Sequence, residues 1–264
     1  MRVCNLGSGS KGNCTFVELG GHKFLIDCGL TLSDTTTRLA LCHSSPAEIE
    51  AILISHEHID HIRSAEVFAR NYNTKIYVHN LGKSALMSRC KKLCQEDVVV
   101  FFDAPFNLFG GYITPIALSH DASHCSGFKV KEKEKSFAII TDMGKSTKVI
   151  ESEISECSLL FVEANHNQRM LLANAKYPPI LKRRILSDRG HLSNEDCAKL
   201  VKNVFMAGNL RQVVLSHLSE ENNSPKLAYD EVVATLALSK VVEGQNIKIC
   251  VANQHAPTPI FKLL

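Results

Sequence analysis

The stretch AILISHEHIDHI, Ala51 to Ile62, begins as an apolar run and then brings His56, Glu57, His58, Asp60 and His61 together within six residues. Neutral imidazole and carboxylate are the donors that borderline cations such as Zn(II) or Mn(II) accept, and the absence of cysteine argues against a purely structural thiolate site. In a tight loop after a strand, alternate residues point to one side. His56 and His58 are therefore expected to hold one cation, while Asp60 and His61 turn toward a second. A lone histidine is more often satisfied by a local hydrogen bond. Three with an acid are harder to explain that way, because burying so many titratable groups without a partner is costly. Glu57 reads as a spacer facing away.

Two cations need more donors than one loop supplies, and the ends of other apolar runs provide them. Phe24 to Asp27, Ile52 to His56, Ile116 to His120, Ala138 to Asp142, Leu159 to Glu163 and Val213 to His217 each terminate in His, Asp or Glu. Rigid strand ends gathered along one sheet edge are where α/β folds assemble sites. His120 would complete a three-histidine site, Asp142 would bridge both cations and His217 would complete the second site. Taken singly, each is equally a turn or capping residue, as Asp142 before Met143-Gly144 illustrates.

The elements that carry these ends alternate in type. Strand-like runs at Phe24–Asp27, Ala51–Ile54 and Ile76–Val78 interleave with helical patterns over Ile62–Arg70 and Leu81–Leu93, the grammar of an α/β protein. Between Val98 and Thr141 the pattern is consecutive strands with turns at Phe109-Gly110-Gly111 and Lys129–Lys135, so a mixed sheet system is expected. Strands are read at Leu159–Glu163 and Gln212–Ser216, and helices at Asn194–Met206 and Pro225–Ser239.

The 264 residues are 45% hydrophobic and 22% charged, which fits one globular domain with a sizeable core. A formal net charge of +3 neither demands nor excludes a polyanionic partner, so any nucleic-acid footprint must be local. No apolar run reaches signal-peptide or membrane-span length, and the reading is of a cytoplasmic protein without membrane contact. Ten cysteines without a Cys-x-x-Cys pair fit reduced, mostly buried thiols better than a disulfide framework. Cys90 and Cys94, the nearest pair, are expected to pack rather than bind metal.

The HxHxDH loop, with Asp27 in LIDCG, His120 in LSHD, Asp142 in ITDMG and His217 in LSHLS, resembles the five ordered motifs of the metallo-β-lactamase fold hydrolases. The resemblance implies a four-layer αββα sandwich of two mixed sheets with flanking helices. It implies two divalent metal ions, Zn or Mn, held by His56, His58, Asp60, His61, His120, Asp142 and His217. Asp27 would orient the loop from behind. More narrowly, GSGSKGNC, SHDA, EANHN, GHLSN and SHLSEENN look like the YycJ/WalJ-type proteins. These imply a 5′-to-3′ exonuclease on DNA that uses a hydroxide bridging two metals, with Asp60 at the reacting centre. Glu163-Ala164 and Gly190-His191 also resemble elements of the tRNA 3′-processing endonucleases, where such a Glu and His form a proton-delivering couple. Glu163 and His191 are accordingly expected to be catalytic. The interval from Asp142 to His217 is too short for a β-CASP cap, and no tRNA-gripping arm is visible, so residues 1–264 read as a single domain.

Phosphate contacts are expected from Ser8, Ser10, Lys11 and Asn13 of the glycine-rich loop, Lys145, Arg183 and Arg184 of the basic triplet, and Arg189. The loop lacks a Walker ending, which disfavours a nucleoside triphosphate. A tight strand connection and a solvated helix face are the plain alternatives, as an N-cap at Ser193 is for the segment after His191. Competing functions are a small-molecule or tRNA 3′-processing phosphodiesterase, a thioester or lactam hydrolase, and a non-catalytic metal-binding signalling protein. DNA is the expected partner.

Overall fold

In the computed structural model, which describes residues 1–263, the apolar runs pair into two seven-stranded sheets. The first runs in chain order through β1 (Arg2–Gly7), β2 (Cys14–Leu19), β3 (His22–Ile26), β4 (Ala51–Ile54), β5 (Lys75–His79) and β6 (Val98–Phe101), and the last strand, β14 (Phe261–Lys262), returns beside β1. The second holds β7 (Phe106–Leu108), β8 (Gly111–Leu118), β9 (Cys125–Glu132), β10 (Lys135–Ile140), β11 (Leu159–Glu163), β12 (Gln212–Ser216) and β13 (Lys248–Val251). Both sheets are mixed. Antiparallel pairs lead into parallel ones at β3 and at β10.

Period-two alternation assigns each strand face to a layer. Phe24, Ile26, Leu53, Phe128, Phe137, Phe161 and Val214 meet between the sheets. On the outer face of the first sheet, Leu25, Ile52, Ile54 and Ile76 pack under α1 (Leu32–Leu41), α3 (Ala65–Tyr72) and α4 (Lys83–Arg89), through Leu39, Phe68 and Leu86. On the outer face of the second, Ile140, Leu160, Val162, Val213 and Leu215 pack under α5 (Lys148–Ile154), α8 (Asn194–Ala207) and α9 (Pro225–Ala237). The result is the αββα sandwich. Phe24, Phe128, Phe137 and Phe161 are fully buried at its centre, each contributing roughly 1.5–3 kcal/mol of apolar transfer.

β3 and β4 run parallel, as do β10, β11 and β12, while β8 shares their direction because both β8 and β10 are antiparallel to β9. Their C-terminal ends carry Asp27, His56, His120, Asp142, Glu163 and His217. Asp27, Asp142 and His217 leave their strands with φ of 59°, 61° and 55°. Such left-handed backbone costs a non-glycine residue energy and persists where surrounding bonds over-determine it.

Two helical expectations are corrected. The pattern over Ile62–Arg70 is broken into α2 (Ile59–Ile62) and α3, because Ser64 turns its N–H to the Cys28 carbonyl and its hydroxyl to the Leu30 carbonyl. The pattern over Leu81–Leu93 shortens to α4, preceded by a separate turn in which the His79 imidazole accepts the Leu81 N–H. A tertiary pair of bonds at Ser64 and a local side-chain cap at His79 outbid continued helix propensity.

Ser64 is not the only group bound to this segment, for Gly29 lies against the metal-loop backbone. A Cβ on Gly29 would sit 1.6 Å from the Asp60 carbonyl oxygen and 2.2 Å from its carbon. Backbone cannot yield as a side-chain tip can, so Gly29→Ala is expected to lower stability by about 1–3 kcal/mol. A denaturant midpoint equal to wild type would contradict the close packing of these two loops.

Candidate metal centre

The loop after β4 is organised from behind by Asp27. Its Oδ1 accepts the Ser55 N–H at 2.8 Å, and its Oδ2 accepts the Ser55 hydroxyl at 2.8 Å and the His61 Nδ1–H at 2.7 Å. That bond leaves His61 Nε2 directed at Asp142 Oδ2, 3.1 Å away, and Asp60 Oδ2, 3.4 Å away. Two other imidazoles are anchored alike. His120 Nδ1 lies 3.1 Å from the Gly190 carbonyl and His217 Nδ1 lies 2.9 Å from Glu163 Oε1. In each case the Nδ1 proton is held by an acceptor, which leaves the Nε2 lone pair toward the centre.

Four overlapping groups of donor atoms result, each with its members within 4.8 Å: His56, His58 and His120; Asp60, His61 and His217; Asp142 with Glu163, His191 and His217; and His56, His61 and Asp142. Asp142 stands between the first two, with Oδ1 3.5 Å from His217 Nε2 and 3.7 Å from His120 Nε2. His56 Nε2, His217 Nε2 and Asp142 Oδ2 are buried without a hydrogen-bond partner. Although His61 Nε2 is near Asp142 Oδ2, the pair is not in hydrogen-bond geometry. Buried lone pairs converging without protons to share suit cations, and the imidazole and carboxylate set suits Zn(II) or Mn(II).

The titration of these groups is pulled in opposite directions. Burial holds the His56 and His120 imidazoles below their ordinary range. Burial acts the same way on His61 and His217, yet the neighbouring carboxylates, Asp27 and Asp142 for the first and Asp142 for the second, outweigh it and raise both. Burial would raise Asp142 and Asp60, but the imidazoles of His217 and His61 keep both carboxyls ionised well below the usual range.

Glu163, fully buried at the end of β11, joins this centre to an open cleft. Its Oε1 accepts from both His217 Nδ1 and His191 Nδ1, the latter at 2.7 Å, and its Oε2 accepts the N–H groups of Met143 and Leu192. Desolvation opposes ionisation there, but His191 and His217 hold its pKa at about 2. Burial lowers His191 while the Glu163 and Asp142 carboxylates raise it further, for a net increase. His191, its side chain 22% exposed, lines a cleft of about 240 Å³ with His58, Asp60, His120 and His217. Ser193 is the N-cap of α8, so the GHLSN segment starts that helix and also sets His191 at the cleft.

The expected phosphate contacts divide. Ser10, Arg184 and Arg189 line the cleft. Arg184 Nε pairs with Asp121 at 2.8 Å, and Arg189 donates to the His120 carbonyl. Ser8 and Asn13 do not face solvent: Ser8 accepts the His217 N–H and donates to Asn13, whose amide reaches Asp60 and His61. They brace the ligand loops. Lys11 pairs with Glu220, Lys145 with Asp188, and Arg183 stands outside the lining. Glu57 faces away from the centre but is no mere spacer, since its buried Oε1 accepts the N–H and hydroxyl of Ser123 and ties down the His120 loop.

Sequence reasoning missed Ser55, Asn165, Tyr177 and Ser219. Asn165, which donates to the His217 carbonyl, lies in the quoted EANHN and was within reach. Tyr177 carries no motif, and only the fold brings it to the cleft. A further group, His79, Asp103 and His124, gathers at the end of β5. His79 Nδ1 accepts the Leu81 N–H, which leaves the proton on Nε2, 3.3 Å from Asp103 Oδ1. That nitrogen is a donor rather than a ligand.

Residues 22–218 match the family model described as Beta-lactamase superfamily domain. The chain is 34% identical to "Exodeoxyribonuclease WalJ" of Streptococcus pneumoniae, over 98% of this chain and 96% of that protein. The chain belongs to the beta-lactamase superfamily. It is 30% identical to "Exodeoxyribonuclease YycJ" of Bacillus anthracis, over 97% of this chain and 96% of the relative. The superfamily fold also appears in the metallo-beta-lactamase fold protein YhfI of Bacillus subtilis, with a TM-score of 0.69 at 16% identity, covering 97% of this chain and 98% of that one.

In metal sites generally, a residue that orients a ligand governs affinity. Asp27→Ala frees His61 Nδ1, and metal affinity is expected to fall roughly 10–100-fold, read by competition with a chromogenic chelator; unchanged affinity would remove Asp27 from this role. Cations that bind the folded state alone stabilise it by about 2.7 kcal/mol at 100 times Kd. A chelator is therefore expected to lower the melting temperature and Zn(II) or Mn(II) to restore it. A melt indifferent to both would contradict the cage.

Proposed function

We propose that the chain is a metal-dependent phosphodiester hydrolase that removes nucleotides from DNA ends with 5′-to-3′ polarity. The observation that carries the reading is the Glu163–His191 pair, set at the cleft beside the converging lone pairs of His56, His58, His120, Asp60, His61, His217 and Asp142. A thioester or lactam hydrolase needs the ligands but not this pair. Near full-length similarity to proteins named exodeoxyribonucleases supports DNA as the substrate.

In this reading His56, His58 and His120 hold one divalent cation, Asp60, His61 and His217 hold the second, and Asp142 serves both. When bound, two such cations supply an activated water and charge stabilisation of the phosphoryl oxygens. The chain's own residues do the rest. Glu163 anchors His191 Nδ1–H, which turns the other ring nitrogen to the cleft, and its charge favours the imidazolium. A protonated His191 delivers the proton that the leaving alkoxide requires. Asp60, partly exposed and ionised, lines the cleft at the reacting centre. Arg184 and Arg189 place positive charge at the cleft wall for the phosphate backbone.

Residues 1–264 act as one catalytic unit without a β-CASP cap, since among the described residues α5, β11, α6 (Gln168–Ala173), α7 (Pro179–Ile185) and α8 occupy the interval between β10 and β12. No helix of the described residues is long and apolar enough to cross a membrane. With ten free cysteines, a cytoplasmic location completes the proposal.

His191→Ala is expected to retain the metal content of wild type while turnover of an end-labelled oligodeoxynucleotide falls about 10²–10⁴-fold. Because the pKa of His191 is raised, its proton is held to higher pH than on an ordinary imidazole and is lost as pH climbs through the raised pKa. The wild-type kcat profile is expected to fall on its alkaline side, and this limb is expected to vanish in His191→Ala. Turnover equal to wild type ends the proton-donor assignment. Cleavage of precursor tRNA but not DNA would replace the substrate.

A further inference from the structure

Helix α7 contributes no buried residue to the core. Short helices draw their stability chiefly from a packed apolar face, so a helix with none needs another reason to be held in place. It is held at several points. Lys182 Nζ donates to the Leu172 carbonyl, Arg184 pairs with Asp121, and the His191 N–H reaches back to the Ile185 carbonyl. The chain after the helix turns so tightly that a Cβ on Gly190 would lie 2.0 Å from that same carbonyl oxygen. The helix is thereby fastened to the His120 and His191 loops.

One side of this segment forms the cleft wall. Tyr177, Leu181 and Ile185 recur every fourth residue and all line the cleft, while Ile180 and Arg183 on the same helix are exposed. The same cleft is lined by imidazoles and carboxylates of the metal centre, by Arg184, Arg189 and Asp121, and by the polar groups of Asn165 and Ser219. A cavity that combines charged groups with an aromatic and aliphatic stripe matches a nucleotide, whose phosphate and base make those two different demands. Its volume of about 240 Å³ is below the ~300 Å³ at which pockets for drug-sized ligands begin. Its scale is that of a single nucleotide-sized group.

Resting on the phosphodiesterase reading above, we propose that the cleft takes the terminal nucleotide unstacked from its strand, with the base laid on Tyr177 and flanked by Leu181 and Ile185. Tyr177 is then a specificity residue that senses whether the attacked end carries a base. Stacking on an aromatic side chain tolerates every base, so the subsite reads the presence of a base rather than its identity. Unstacking is cheapest at a frayed or single-stranded end, and such ends are the preferred substrates.

The test uses the full chain loaded with Mn(II) and needs no turnover. Calorimetric binding of thymidine 5′-monophosphate is compared with that of 2-deoxyribose 5-phosphate for wild type, Tyr177→Phe and Tyr177→Ala. Wild type and Tyr177→Phe are expected to favour the base-bearing ligand by about 10–100-fold, and Tyr177→Ala to lose most of this preference while keeping wild-type metal content and melting temperature. Leu181→Arg, which places charge on the same wall, is expected to weaken the preference independently. The same comparison in kcat/KM uses a single strand ending in thymidine or in an abasic residue. No base preference in wild type, or a full preference in Tyr177→Ala, overturns the subsite. Cleavage of DNA with an unaltered Tyr177→Ala preference sinks the subsite alone; a Tyr177-dependent preference without any DNA cleavage supports the subsite and sinks the exonuclease reading.

Discussion

Carboxylates and imidazoles are packed so closely at one sheet edge that no arrangement of protons satisfies them all. Burial presses His56 toward its neutral form, while Asp27 and Asp142 press His61, a ring in contact with it, toward the charged one. Asp142 keeps a buried oxygen without a hydrogen bond in the midst of them. Divalent cations would resolve the conflict, because they would supply the positive charge while leaving the imidazole lone pairs free of protons. The left-handed backbone at Asp27, Asp142 and His217 belongs to the same constraint, since only groups tied from several sides hold such geometry at strand ends.

Glu163 carries that constraint outward. A single carboxylate oxygen, Oε1, serves the ligand candidate His217 and the proton-donor candidate His191, while Oε2 is fixed by two backbone N–H groups. With all four bonds made, the carboxylate has no freedom to follow one histidine at the expense of the other. The charge state of the cage is therefore felt at His191 through one shared acceptor. The glycine-rich loop works similarly from the opposite sheet: Ser8 receives the His217 N–H and Asn13 braces Asp60 and His61, so side chains expected to meet phosphate instead hold the two halves of the centre in register.

The sandwich makes this possible because each sheet contributes parallel strands whose ends reach the same edge. Asp27 and the HxHxDH loop come from the first sheet, and His120, Asp142, Glu163 and His217 from the second. The aromatic layer between them keeps the sheets in fixed relation, and rigid strands place donor atoms more closely than mobile loops would. Helix α7 is the exception, tethered by its ends, by one ion pair and by a lysine-to-carbonyl bond rather than by a core, and it lines the cleft where a substrate would lie.

By itself, the sequence determined the α/β pattern, the strands at Ala51–Ile54, Leu159–Glu163 and Gln212–Ser216, and the candidate donor residues that the fold gathers, because strand period and donor chemistry are local properties of residue type. It also placed the Glu163–His191 pair, through a resemblance that such local motifs carry. It did not determine that Ser8 and Asn13 are internal braces, that Glu57 ties down the His120 loop, or that Ser64 and His79 interrupt two helices. The braces, the Glu57 tie and the Ser64 break depend on hydrogen bonds to residues distant in the chain, and the His79 break on a side-chain bond that helix periodicity does not signal. Tyr177 was invisible for the same reason. A tyrosine between a lysine and two prolines has no periodic signature, and only the closure of α7 over the strand ends turns its ring into a wall of the cleft.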